Sequence, residues 1–377
     1  MNLSAYWDSF ALWTMHFGMP LVQCYHLLCG SSFINVAAED AVGLEKGANI
    51  ILAPIQYLLA GSKASNTIQL ENGHEVAVYC LKQRFDYRDE NMWKKTALSY
   101  VALPASLTLG SVMKGLSYLS SDTRRRQEKI AQAKCSGKVE PKTEYYKSLG
   151  IISSELPSAE MINPSYHKRR PGEENILQLE KAALRDVVKA LSDNKIMFWA
   201  DCGTCLGTYR YGGIIPWDWD IDLAILQPDF TNVKNVLTSA LDPNLYVVQD
   251  WSSRDKTMTY LKVYVKATGT LIDIYHFGID EKNQMISSIV SNIDCVFLPE
   301  SWKVRERRFA IETPFDVVFP LKKATFDGIE VFVPAKTKEY LQLRYGENIE
   351  PVKLFNEKSG QYEKDLSHPY WQRSYVQ

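Results

Sequence analysis

The chain predicts an α+β fold with an apolar, mainly helical N-terminal region, and three observations predict it. Leu177, Leu184, Val187, Val188 and Leu191 recur at helical spacing between Glu174 and Lys195, with Lys, Asp and Arg between them. Ile215 to Ile225 alternates apolar and acidic residues, as a half-buried strand does. Three long runs without a charged residue fall in the first third of the chain.

Those runs come first. Ser9 to Ala38 and Gly47 to Ser62 contain no Asp, Glu, Lys or Arg, and Thr96 to Met113 are 18 uncharged residues. The last run approaches the roughly 20 residues that a membrane-spanning helix needs. Lys94 and Lys95 flank it on one side and Arg124, Arg125 and Arg126 on the other. Two readings stand, buried helices of a small globular domain or association of residues 1–120 with a membrane. The segment His74 to Phe85 reads as a strand. Residues 121–172, charged at first and then interrupted by Pro157, Pro164 and Pro171, read as a linker.

The third region spans residues 173–371. The amphipathic helix over Glu174 to Lys195 leads into a strand at Ile196 to Ala200. Gly203, Thr204 and Gly207 follow as a GTxxG turn, whose backbone N–H groups can approach a phosphate. A short helix and the acidic strand come next. On that strand Asp218, Asp220 and Asp222 share one parity, while Ile215, Trp217, Trp219, Ile221, Leu223 and Ile225 share the other. This parity places the Trp219 ring in the core. Asp229 to Leu241 reads as helix, and Tyr260 to Lys266 with Thr270 to Phe277 as a hairpin.

Carboxylates crowded on one strand face raise each other's pKa unless a cation lies between them. All-oxygen ligands suit Mg²⁺ or Mn²⁺. A phosphate-cradling turn beside metal-binding carboxylates is the equipment of phosphoryl or nucleotidyl transfer. Donor phosphates also need cations. Arg210 is the first candidate, because Arg binds phosphate bidentately, and Lys262 and Lys322 are the next. Asp273, set between Ile272 and Ile274, is a charged residue in an apolar strand and a candidate third ligand or general base.

The pattern GTCLGTYRYGGIIPWDWDIDLA closely resembles the LicD/fukutin-type family, whose fold is similar to the polymerase-β-like nucleotidyltransferases. The segments LIDIYHF, FPLKKATFDGIEVFVP and EYLQLRYGEN extend the resemblance from about Glu173 to about Trp371. The family commonly has three acidic residues after the Pro-Trp, and here the middle one is Trp219. The resemblance implies a nucleotidyltransferase-type mixed sheet flanked by helices. It places the third carboxylate at Asp273, beside Asp220 and Asp222. It also implies an enzyme that transfers a phosphocholine- or phospho-alditol-type group from a CDP-linked donor to a glycan hydroxyl, releasing CMP, in the synthesis of cell-surface polysaccharide or lipopolysaccharide. The alternatives are transfer of an NMP, or a non-catalytic membrane-associated binding module of the same fold.

Composition bounds these readings. Length allows two domains. A formal net charge of −1 argues against nucleic acid as partner, since backbone affinity needs a basic surplus. Seven cysteines form no regular framework, and the Cys202–Cys205 pair interdigitates with the GTxxG turn without a second CxxC to complete a zinc site. No early Lys/Arg cluster marks a signal peptide. The expected location is at a membrane, with the catalytic domain on the cytoplasmic side.

Overall fold

The computed structural model describes residues 35–36, 41, 43–60, 62–69, 75–81, 92–125, 140, 142–162, 174–251, 258–290 and 300–373. The chain divides into two compact units, neither contiguous in sequence. One comprises residues 1–138, 234–262 and 291–298, and the other 139–233, 263–290 and 299–377.

The described part of the first unit is mixed rather than mainly helical. An 18-residue helix, Gly43–Ala60, packs against a long helix that runs from Met92 to Ser117 with a π-helical turn at Ser106–Gly110. The two run antiparallel, since Glu45 meets Lys114 while Ile51 meets Ser106. A strand lies within the expected His74 to Phe85 segment, at Glu75–Leu81, and pairs antiparallel with Ser62–Gln69 and Asn35–Val36. The rest of the uncharged run Ser9 to Ala38 lies outside the described residues. Among the described residues, no helix is long and apolar enough to cross a membrane.

The second unit is built on a mixed sheet. The long strand Leu271–Asp280 pairs antiparallel with Met285–Ser288 on one side and parallel with Ile221–Leu226 on the other. Ile221–Leu226 in turn pairs antiparallel with Phe198–Ala200. The end of the 260–265 strand turns into the long strand, with the Val265 N–H donating to the Thr270 carbonyl. All six residues of Ile221–Leu226 are buried, as befits a central strand covered on both faces. The amphipathic helix forms over Glu174–Asp193, with Ala183, Leu184, Val187 and Leu191 turned into the core. Burying its apolar stripe is what holds such a helix, because propensity alone is marginal in water.

A second, three-stranded sheet orders Ile329–Val333, Leu321–Phe326 and Ser153–Pro157. Its hairpin turns at Asp327 and Gly328, both at positive φ (52° and 81°), a conformation that Asp and Gly tolerate. Residues 140 and 142–162, expected as linker, are instead part of this unit. Tyr146 anchors the helix Thr143–Ser148, buried with its hydroxyl 2.8 Å from Asp229 Oδ2. Burial, followed by the neighbouring Asp229 carboxylate, pushes the Tyr146 pKa well up, so the phenol stays a neutral donor. The core that carries the site joins Trp199, Ala200, Cys205, Leu206, Ala224, Phe277, Phe319 and Tyr340.

Candidate functional site

The GTxxG residues do not form an open turn. They lie inside the helix Cys202–Tyr211, which starts directly after the strand Phe198–Ala200 with Asp201 at its N-cap. Gly212, at φ 62°, ends the helix in the left-handed conformation that glycine adopts without penalty. Each of the three residues has a separate packing reason. A side chain on Gly203 would strike the Asp218 carboxylate, so this glycine lets an acidic group reach the first turn of the helix. Thr204 is buried, and its Oγ1 accepts from the Asp222 N–H at 2.7 Å. A side chain on Gly207 would strike the Gly213 carbonyl, so this glycine lets the loop fold back on the helix. Gly203 borders the cavity described below, whereas Thr204 and Gly207 act from behind it.

The acidic strand starts later than alternation suggests. Residues 212–220 form a looped approach, with the Asp218 N–H donating to the Ile215 carbonyl, and extended pairing begins only at Ile221. The Asp327–Gly328 turn holds this loop, since the Asp327 carboxylate accepts from the Ile214 N–H at 2.9 Å. Strand parity therefore does not extend back to Trp219. Its side chain is not in the core but 57% exposed, which corrects the expectation from alternation. Trp217 is half-buried and packs on Tyr362, with ring centroids 5.0 Å apart.

Asp222 and Asp273 are direct partners in the parallel register of the two central strands. Both are buried, and Asp220 stands half-buried beside them. One carboxylate oxygen from each of Asp220, Asp222 and Asp273 lies within 4.8 Å of the other two. Burial first, and then the neighbouring charges of Asp220, Asp273, Asp218 and Asp201, hold the Asp222 pKa well above the usual carboxylate range. A buried cluster of three hard oxygen donors fits a divalent cation of the Mg²⁺ or Mn²⁺ type, whose charge would offset this repulsion.

The cluster opens into a cavity of about 280 Å³. Asp201, Cys202, Gly203, Asp218, Asp220 and Asp222 line it. Further lining comes from three segments far away in sequence. The helix Glu300–Phe309 contributes Glu306, Arg308 and Phe309, the helix Thr337–Tyr345 contributes Arg344 and Tyr345, and the C-terminal turn contributes Tyr370 and Arg373. Arg373 lies against Gly346, where a side chain would collide with the guanidinium. Arg344 is buried beneath, stacked on the Tyr340 ring at 3.6 Å and 3.8 Å from Asp201. Asp201 also accepts from the Tyr340 hydroxyl at 2.6 Å, and that oxygen accepts from Trp199 Nε1 at 3.1 Å. Burial works to lower the Arg344 pKa, but Tyr340 and Asp201 outweigh it and keep the guanidinium charged.

The cations expected from sequence lie elsewhere. Arg210 is buried and donates to the Glu350 carbonyl at 2.7 Å, which ties its helix to the segment after Tyr345. Lys322 does not border the cavity. Lys262 belongs to the first unit, where its ammonium lies 4.8 Å from the Trp251 ring centre. The cavity's own arginines carried little sequence signal, apart from Arg344 within EYLQLRYGEN. Cys202 borders the cavity and Cys205 is buried. Burial, then Asp201 and Asp222, pushes the Cys202 thiol pKa well up, so it is protonated at neutral pH and poorly suited to redox or metal chemistry.

Residues 195–336 match the family described as LicD/FKTN/FKRP, nucleotidyltransferase domain. An uncharacterized protein of Rickettsia prowazekii is 28% identical over 164 residues, 44% of this chain and 53% of that protein. Human ribitol 5-phosphate transferase FKRP is 24% identical over 177 residues, 46% of this chain and 32% of that protein. Mouse ribitol-5-phosphate transferase FKTN is 25% identical over 180 residues, 48% of this chain and 35% of that protein. The chain thus spans about half the length, or less, of the curated relatives it matches. Among solved structures, the lincomycin-bound lincosamide adenylyltransferase LnuA overlaps 48% of this chain and 90% of its own at 11% identity, with a TM-score of 0.27. The matched segment contains Gly203, Asp220, Asp222 and Asp273, so the cluster's carboxylates all lie within the part of the chain that is similar to the LicD/FKTN/FKRP nucleotidyltransferase domain.

Proposed function

We propose that the second unit is a metal-dependent transferase that moves a phospho-sugar-alcohol group from a CDP-linked donor to a glycan hydroxyl and releases CMP. The observation that carries this reading is a cavity lined by Asp220 and Asp222, whose carboxylates lie within 4.8 Å of each other and of the buried Asp273, and also by Arg308, Arg344 and Arg373. The named relatives FKRP and FKTN, ribitol 5-phosphate transferases, support the alditol form over phosphocholine.

Asp220, Asp222 and Asp273 would hold the cation, which supplies charge neutralisation at the donor diphosphate. Arg308 and Arg373, which also line the cavity, would bind the diphosphate, since a guanidinium forms paired hydrogen bonds to phosphate oxygens. Phe309, Tyr345 and Tyr370 offer ring faces for the nucleoside base. Arg344 contacts the donor less than it balances Asp201, which keeps the helix start and the acidic strand in place. In the reaction, the acceptor oxygen forms a bond to phosphorus as the bond to the CMP oxygen breaks. The acceptor's proton passes to a cavity carboxylate outside the trio, Asp218 or Glu306. Catalysis is then mainly orientation and charge stabilisation.

The test is incubation of the purified chain with CDP-ribitol, CDP-glycerol or CDP-choline, Mg²⁺ and a glycan acceptor. CMP should appear with CDP-ribitol, and EDTA or Asp220→Asn should stop it. Absence of CMP from every CDP-linked alcohol, or pyrophosphate release from a free nucleoside triphosphate, overturns the reading.

A further inference from the structure

The helix pair of the first unit has its polarity turned inside out. In the long helix Met92–Ser117, Ser99, Ser106, Gly110 and Ser117 are buried. Leu98, Val101, Leu109, Val112 and Leu116 are exposed, Val101 at 81% and Leu98 at 69%, and so is Leu119 in the turn that follows. The partner helix buries Glu45, Ala48 and Asn49 together with Leu52, and exposes Leu44 and Ile50. Between the helices, Lys114 donates to Glu45 Oε1 and to Asn49 Oδ1, both at 3.1 Å. Ser106 Oγ donates to the Ile51 carbonyl at 2.6 Å. Gly110 leaves room for the Leu52 side chain of the partner helix, whose Cδ2 an added Cβ would meet at 2.9 Å.

Water rewards the opposite arrangement, with large aliphatic side chains inside and polar ones outside. Hydrocarbon rewards this one. There, helices pack through small residues and buried hydrogen bonds, ionisable groups face inward in pairs, and aliphatic side chains meet the solvent. The apolar face extends about 30 Å along the helix axis. Between Lys95 and Lys114 the helix carries no charge. Exposed Lys94 stands before the face and exposed Arg124 and Arg125 after it, with exposed Asp122 beside the latter pair. Basic residues at both ends suit an anionic headgroup layer.

We propose that the outer face of the Gly43–Ala60 and Met92–Ser117 helix pair is seated in the acyl region of an anionic phospholipid bilayer, with Val101 and Val112 in contact with lipid. The proposal is independent of the transferase reading. The same face could instead be covered by the uncharged N-terminal run of this chain or by a second copy, and the experiment separates the three. The full chain, carrying a benzophenone amino acid at Val101, at Val112 or, as control, at exposed Glu357, is mixed with vesicles of phosphatidylethanolamine and phosphatidylglycerol and irradiated. Phospholipid adducts should be the main product at Val101 and Val112 and be absent at Glu357. In parallel, the unlabelled chain should float with the vesicles through a high-salt wash, and Val101→Asp with Val112→Asp should lose flotation while keeping the wild-type near-UV circular dichroism. Crosslinks from Val101 or Val112 to the chain itself or to a second copy, or no lipid adduct at either, overturn the proposal. So does flotation of the double variant equal to wild type.

Discussion

Replacing Asp222 with Asn should make the metal-free protein more stable, the reverse of what removing a buried, well-packed group ordinarily does. Asp222 lies within 4.8 Å of carboxylate oxygens of Asp220 and Asp273, and at an effective dielectric near 20 each such pair repels by roughly 3–4 kcal/mol. Partial protonation and solvent around half-buried Asp220 take up much of this, leaving an expected gain of about 1–3 kcal/mol at neutral pH. For a unit of this size that corresponds to about 3–10 °C in Tm. The sign of the pH dependence follows from the raised Asp222 pKa. Its folded form binds protons more tightly than its unfolded form, whose ordinary pKa is 3.8. The repulsion-free fold is therefore fully present at low pH, and stability is lost as pH rises through the folded value. Calorimetry in EDTA from about pH 4 to 8 should show wild type losing Tm relative to Asp222→Asn. Added Mg²⁺ should raise the wild-type Tm, more so at higher pH, and leave the variant nearly unmoved. A variant that melts below wild type in EDTA at neutral pH, or that responds equally to Mg²⁺, would refute an electrostatically strained cation site.

Two further substitutions test the surroundings of the cluster. Arg344→Met leaves Asp201 buried without its cation and removes the stack on Tyr340, so it should cost about 3–5 kcal/mol, read by urea denaturation; a loss under about 1 kcal/mol would show that Asp201 does not depend on Arg344. Trp219→Ala truncates a ring that is 57% exposed and should shift stability by no more than about 0.5–1 kcal/mol. A loss of about 3 kcal/mol in a thermal melt, the value for a core Trp, would return Trp219 to the interior.

Short-range chemistry was legible in the sequence. The amphipathic helix, the central strand with Asp220 and Asp222 at its head and the hairpin into the 271–280 strand each follow from spacing and turn residues within a few positions of each other. Asp273 was singled out by its charge in an apolar strand, and the register with Asp222 gives it a partner. The expectations that fell rest on longer-range facts. Alternation from Ile215 is real in the sequence, but the folded-back loop at Gly212 and Gly213, braced by Asp327, interrupts the strand before Trp219. The glycines of GTxxG looked like a phosphate turn, and only the tertiary contacts show that Gly207 makes room for a carbonyl and Gly203 for a carboxylate. The choice of cations was decided the same way. Arg210 and Arg344 are both single arginines among apolar neighbours in the chain. One is bonded to a distant carbonyl and the other borders the carboxylates. The inside-out helix pair is the plainest case. Sequence determined that Thr96 to Met113 is uncharged and apolar on average, because composition is a property of the chain alone. Small and aliphatic residues of that run fall at helical spacing on separate faces, but which face meets a neighbouring helix and which faces outward is set by packing across more than 50 residues of intervening sequence, as in the 55-residue separation of Ser106 and Ile51.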